Sequence, residues 1–257
     1  MSLATDREWG REEPKWRLLF DAAEIYGVDA PGGGLAGCYT LTRYGAEASA
    51  IGMVLVASRF NGQGLGRRMM THALSVAEGV VSLHATEMGR PLYEKLGFEV
   101  VDVNSSHYGD FSGSRPAGPA TRPVASVLEV LAYDREAYGL DRAPLLNALH
   151  THSVAFRAAE TDGRVVGYAA AWRNSHNVVI GPVVADDLAT AGALIADIAT
   201  GADAEIRIDV LHSRPGLREW TTSVGIAPKF DGTYMVLDGA EMPGDAARVW
   251  APVTQAV

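Results

Sequence analysis

The chain has 257 residues, 47% of them hydrophobic and 21% charged, with a formal net charge of −9. That balance suits a soluble globular chain of one large or two smaller domains, each able to bury a core, and excludes extensive disorder. The acidity argues against nucleic acid as principal partner, no run of about 18 apolar residues reads as a membrane span, and the single Cys38 excludes an internal disulfide or a multi-cysteine metal centre.

The spacing predicts a helical region over 5–22, with Trp9, Trp16, Leu19 and Phe20 apolar and Pro14 opening a second helical piece. Strands over 23–28 and 35–43 flank Pro31-Gly32-Gly33-Gly34, and Tyr44-Gly45 leads into a strand over 48–56. A glycine-rich loop, Asn61-Gly62-Gln63-Gly64-Leu65-Gly66-Arg67-Arg68, opens a helix over 65–78, followed by a strand over 80–85. Pro91 suits the first turn of a short helix that Gly97 ends, and a strand begins at Phe98. Residues 104–123 are rich in Gly, Pro, Ser and Asn and read as a loop or linker, with a domain boundary near Pro119.

The second half repeats the order of elements. Helices over 126–138 and 141–150 precede strands over 154–159, 165–173 and 178–184, then a helix (188–200), a strand (206–211), a short helix (217–224) and a strand ending near Leu237. The halves read as two diverged copies of one fold, divided into 1–118 and 119–257.

The glycine loop carries the clearest chemistry. Glycines let a backbone approach an anion closely and take positive φ, and the first N–H groups of the following helix add the positive end of its dipole. Arg67 and Arg68 bring positive charge to the same place. A dinucleotide fingerprint starting at Gly62 needs glycine where Arg67 stands, and a Walker loop needs a Gly-Lys-Ser/Thr ending that is absent. Together with Leu92-Tyr93-Glu94-Lys95-Leu96-Gly97-Phe98 downstream, the loop resembles the GNAT superfamily of N-acetyltransferases over residues 5–110. Tyr138-Gly139-Leu140-Asp141-Arg142 and the stretch from Ile180 to Asp187 resemble, less specifically, the C-terminal domain of tandem GNAT proteins.

The resemblance implies an α/β (α+β) fold of two GNAT-like domains, each a mixed, mostly antiparallel sheet flanked by helices. It also implies acetyl-CoA or another acyl-CoA as co-substrate, without a metal. The pyrophosphate is expected on Asn61, Gly62, Gln63, Gly64, Leu65, Gly66 and Arg67, and the pantetheine arm along Val54, Leu55 and Val56, where the strand splays from its neighbour. Thr86 stands where the family often has an asparagine, and Asn61 where it has Gln or Arg. Tyr93 holds the position of the acid that protonates the departing thiolate. No acidic residue stands early in the central strand, so the base is open; His84 alternates to the face of Thr86 and is the candidate, with a rate profile limb at about pH 6–7. In the second half Asp186 and Asp187 replace the glycines, so one acyl-CoA per chain is expected.

Cys38 reads as a small buried residue, His150 and His152 as helix-end charges, and Asp209 as a solvated strand carboxylate. The expected function is transfer of an acetyl group to an amine of a small molecule; the alternative is a non-catalytic module that binds acyl-CoA or a metabolite. The expected compartment is the cytoplasm, because no charged-then-apolar leader is present. The acceptor and the oligomeric state stay open.

Overall fold

The computed structural model describes residues 2–6 and 10–257, so the predicted helical position of Trp9 lies outside the described residues. After α1 (Ser2–Asp6), α2 (Glu13–Ala22) carries Pro14 in its first turn, where a missing N–H costs nothing, and buries Trp16, Leu18 and Leu19. An antiparallel meander follows: β1 (Glu24–Asp29), β2 (Leu35–Tyr44) and β3 (Ala48–Val56). Helix α3 (Leu65–Val76) buries Leu65, Met69, Met70 and Ala73 along one stripe and returns the chain to β4 (Val80–Ala85), parallel to β3. Then come α4 (Arg90–Glu94) and β5 (Phe98–Gly109).

The second half begins with β6 (Thr121–Pro123), and the single helix predicted over 126–138 is divided. Ser126 and Glu129 form a capping box on a 3₁₀ turn, Val127–Glu129, and α5 (Leu131–Tyr138) follows. Next are α6 (Ala143–His152), β7 (Ser153–Thr161), β8 (Arg164–Arg173), β9 (Val178–Ala185), α7 (Leu188–Ala199), β10 (Ile206–Leu211), α8 (Pro215–Ser223), β11 (Ala227–Leu237) and β12 (Val249–Ala251). Strand β9 is buried along its whole length, which is why it reads as an apolar run rather than an alternating one.

The strands form one sheet in the order β1-β2-β3-β4-β11-β5-β10-β9-β8-β7-β6. Exchanging each strand of the first half for its counterpart in the second reverses this order, so the two copies are related about an axis between β11 and β5. Each half has given its last long strand to the other: β11 lies between β4 and β5, and β5 between β11 and β10. The mixed, mostly antiparallel sheet flanked by helices agrees with the expected fold class, and the two expected sheets are continuous.

This exchange corrects the reading of 104–123. The first six residues of that stretch belong to β5, and Asn104, Ser105, Ser106 and His107 are buried because strands pair with them on both sides. Ser105, Ser106 and His107 reach distant partners, whereas the side-chain nitrogen and oxygen of Asn104 and Nε2 of His107 are buried with no hydrogen-bond partner among the described residues. Ser106 Oγ donates to Asp209 Oδ1 at 2.6 Å, and His107 Nδ1 lies 3.0 Å from Thr221 Oγ1. Asp209, expected in solvent, is 1% exposed and accepts from Arg207 Nε and Nη2 at 3.0 and 2.9 Å. The connection shrinks to 110–120 and is tied to α7 by an Arg115–Asp197 ion pair at 2.9 Å.

On one face of the sheet α3 and α4 cover the first half, with Met70, Leu83 and Phe98 in their cluster, and α7 and α8 cover the second. On the other face α5 and α6 bury a cluster that joins both halves, from Tyr44 and Ala48 to Tyr168 and Trp172.

Candidate active site

Strands β3 and β4 pair from Ala48↔Val80 to Ile51↔Leu83 and then part. β3 stays bonded to β2 as far as Val56↔Gly37, so residues 52–56 turn an unpaired backbone edge towards a wedge between the strands. A bulge opposite Cys38 and Thr40 marks the parting, with Met53 at φ +47°. A non-glycine residue there costs on the order of 1 kcal/mol or more, held by the surrounding strands. The splay expected at Val54, Leu55 and Val56 is therefore built into the fold: Leu55 anchors in an apolar cluster, and Val54 and Val56 are half-buried.

At the mouth of the wedge the chain makes a 3₁₀ turn (Ser58–Phe60) and enters the glycine loop. Gly62 and Gly64 take φ of +73° and +74°, and a Cβ on either would point into open space. Gly64 is the N-cap of α3, and no side chain caps this helix end. Its first N–H groups are thus free for an anion, beside the exposed Arg67 and Arg68. Gln63 Nε2 donates to the Arg59 carbonyl at 3.1 Å and so stays with the loop. Gly66 is less demanding than its neighbours, since a Cβ there would make ordinary contact with Leu92 at 3.5 Å.

The equivalent wedge of the second half is filled. β9 and β10 pair as far as Ile180↔Ile208, and β12 then occupies the gap by pairing with Val183 and Val184. The Trp250 indole N–H donates to the Ala185 carbonyl at 2.9 Å, which fastens the insert. Asp187 caps α7 by accepting from the Thr190 N–H at 2.7 Å, and Asp186 accepts from the Tyr133 hydroxyl at 2.8 Å and lies 3.4 Å from Arg248. The chain's own strand and carboxylates fill this copy, and no strand of the chain fills the other among the described residues.

A cavity of about 670 Å³ lies on the α5–α6 face and reaches the fork of the open wedge, where Ile51, Leu83 and His84 line it. His84, Tyr234 and Asp102 stand in a row across β4, β11 and β5, because Tyr234 is in register with both of the others, and all three line the cavity. The His84 ring lies 4.9 Å from that of Tyr234, and its Nδ1 is buried with no hydrogen-bond partner among the described residues. Burial pushes the His84 pKa down to about 4, against the smaller opposing pull of Asp209 and Asp102. A rate limb at pH 6–7 does not fit such a group; His84 is a neutral imidazole at neutral pH.

The same shift sets a stability prediction. The folded pKa lies below the unfolded one, so the unfolded chain takes up a proton first as pH falls from about 6.5 to about 4, and stability is lost across that window. In urea titrations wild type is expected to lose stability there more steeply than His84→Gln, by up to about 1.4 kcal/mol per pH unit. Parallel curves would refute it.

The remaining predicted residues are spread around the fork. Thr86 follows the end of β4, and its Oγ1 and carbonyl accept from the Gly89 N–H, both bonds helping to start α4. Tyr93 lies on the opposite face from the cavity, in the α3–α4 cluster, edge-on to Phe98 at 6.1 Å, and burial pushes its phenol up to about 12. Its hydroxyl and Thr86 Oγ1 both approach the turn at Gly89, each within about 3.5 Å of a Cβ placed there. The structure therefore brings the loop and the splayed strand to one wedge, sets Thr86 and Tyr93 together at the Gly89 turn beyond the end of β4, and puts His84 on the cavity side. Asp102 was missed because its nearest cavity partner, Tyr234, lies on a strand given by the other half.

Other candidates take plain roles. Cys38 is buried, with its thiol pushed up to about 11 by burial; His152 pairs with Asp21 at 2.6 Å, and His150 Nε2 lies 3.4 Å from the Val124 carbonyl. Among the described residues no group of His, Cys, Asp or Glu is placed to hold a metal ion, and no helix is long and apolar enough to cross a membrane.

Comparison with known proteins agrees with this geometry. Residues 21–100 and 130–251 each match a family described as Acetyltransferase (GNAT) domain. The uncharacterized N-acetyltransferase YitH of Bacillus subtilis (strain 168) is 27% identical over 257 residues, covering 97% of this chain and 90% of that protein. An acetyltransferase structure from Pyrococcus horikoshii superimposes with a TM-score of 0.72 at 19% identity, covering 95% of this chain and 83% of that one. A tandem GNAT protein from the clavulanic acid biosynthesis pathway gives 0.57 at 13% identity, covering 86% and 85%. With a family match in each half, the chain belongs to the GNAT acetyltransferases and carries two GNAT domains in tandem.

Proposed function

We propose that the protein transfers an acetyl group from acetyl-CoA, bound in the wedge of the first half, to an amine of a small molecule held in the cavity between the halves. The observation that carries this reading is the contrast between two equivalent wedges: one into which no strand of the chain pairs, headed by an uncapped glycine turn, the other filled by β12 and capped by Asp187. In this reading residues 1–118 supply the cofactor site and the chemistry, and 119–257 supply most of the acceptor wall.

Residues 61–67 hold the pyrophosphate through backbone N–H groups, and the free edge of Val54, Leu55 and Val56 binds the pantetheine amides as a strand would. An unpaired N–H of β3 beyond the bulge stabilises the oxyanion formed when the amine adds to the thioester carbonyl. Asp102 and His84 face the amine and receive or relay the proton it loses, and Tyr93 delivers one to the departing thiolate. Acid and base thus stand on opposite faces of the sheet, meeting where β3 and β4 part.

Calorimetric titration with acetyl-CoA tests the reading. One site per chain is expected, with affinity at least about tenfold weaker in Gly64→Val, because a β-branched residue does not adopt the required φ. Two sites, or unchanged affinity in the variant, would refute the assignment. Binding without transfer to any amine in a broad panel would return the non-catalytic reading.

A further inference from the structure

We propose that the acceptor amine also carries a carboxylate, received by Arg142 at the end of the cavity away from the wedge, with an apolar body several bonds long between the two groups. This rests on the transfer reading above and names its substrate class.

Arg142 lines the cavity and is 4% exposed, and its Nε and Nη2 are buried with no hydrogen-bond partner among the described residues. Those two nitrogens form one edge of the guanidinium fork, the edge that meets both oxygens of a carboxylate. The rest of the group is fixed. Its Cζ lies 3.4 Å from the centre of the Tyr138 ring and 6.0 Å from that of Tyr44, which holds the plane in place. Asp134 stands 3.7 Å from Nε, beyond hydrogen-bond reach, and its other oxygen accepts a hydrogen bond from the Tyr168 hydroxyl. It offsets part of the charge without filling the fork. Leaving such donors unmet in a buried site is costly, so a ligand that meets them gains selectivity over one that does not.

The opposite pole of the cavity has the opposite character. His84 lies at the fork of the wedge and Asp102 two strands away in the same row, and along this side of the cavity an ammonium is attracted and can lose its proton. Tyr44, beneath Arg142, pairs with Ala48, and the fork begins three residues further along β3 at Ile51, about 10 Å of strand. The walls between are apolar, with Leu140, Leu145 and Val253 among them. A polymethylene chain with an amine at one end and a carboxylate at the other fits both poles and the wall; an α-amino group beside its own carboxylate does not span them.

The test compares 6-aminohexanoate, 6-aminohexanamide and hexylamine as acceptors, with acetyl transfer and calorimetric binding in the presence of CoA both measured. Wild type should prefer the acid over the other two by roughly 10- to 100-fold in kcat/KM, and Arg142→Met should bring the three within about threefold of one another. Arg142→Lys should restore part of the preference, since it returns the charge without the fork. Because Arg142→Met leaves Asp134 buried and uncompensated, the double variant Asp134→Asn/Arg142→Met serves if the single one does not fold. Equal use of the three by wild type, or a preference that survives Arg142→Met, overturns the proposal, as does absence of carboxylate-dependent binding. Carboxylate-dependent binding lost in Arg142→Met but without any acetyl transfer supports this site and sinks the transfer reading instead.

Discussion

Residues 1–118 produced without the rest of the chain will not fold. β4 and β5 are successive strands of the first half yet do not pair, because β11 lies between them and bonds to both. Without it two inner strand edges lose their partners, and the cluster under α3 loses the fully buried Met235. The loss continues beyond the sheet. Leu3, Trp16 and Leu19 pack against Ala256, and a Cβ on Gly52 would stand only 2.1 Å from the Ala256 carbonyl oxygen, so the C-terminal segment lies directly on β3. The expected result for the fragment is a disordered proton NMR spectrum, and for the intact chain a single urea transition by tryptophan fluorescence and far-UV circular dichroism. A dispersed spectrum from a monomeric 1–118 would refute this. On the proposed function, the division near residue 118 is one of chemical labour and not of folding.

Tyr93→Phe is expected to lower kcat by roughly 10²- to 10⁴-fold while acetyl-CoA affinity stays within a factor of about two. Only the hydroxyl is removed; the ring keeps its edge-on contact with Phe98 and its place in the α3–α4 cluster. With the phenol pushed up to about 12 by burial, proton transfer to a thiolate whose thiol has an ordinary pKa of about 8.5 runs uphill by roughly 5 kcal/mol. For a productive transfer, the bound state has to lower that gap, by bringing the thiolate's charge next to the hydroxyl in a dry wedge. Steady-state kinetics at saturating acetyl-CoA decide the matter. Activity equal to wild type would leave Tyr93 as a packing residue.

Local pattern made part of this legible. Gly62 and Gly64 stand out because only glycine takes their conformation freely, and the apolar stripe of α3 follows directly, so the cradle could be read from eight consecutive residues. Asp186 and Asp187 marked the altered copy for the same reason. What stayed hidden depends on pairing across more than a hundred residues. Asn104, Ser105 and Ser106 have the composition of a loop, and pairing with β10 and β11, with Asp209, Asp231 and Gln255 meeting the two serines, makes a central strand of them. β12 is three residues long, too short to carry a periodicity, and its role comes from where it inserts. Arg142 sat in a motif seen in the sequence, but its unmet nitrogens and its place in a cavity wall are properties of three dimensions.

The exchange of β5 and β11 also dictates an order of events during synthesis. At a translation rate of about 5–20 residues per second, the chain between Gly109 and Leu237 takes roughly 6–26 s to emerge, and throughout that time the first sheet lacks its inner strand. The nascent first half must wait with β4 and β5 unpaired towards each other until β11 arrives. The first sheet is therefore completed only when the second half has been made, and the two halves reach their final pairing together.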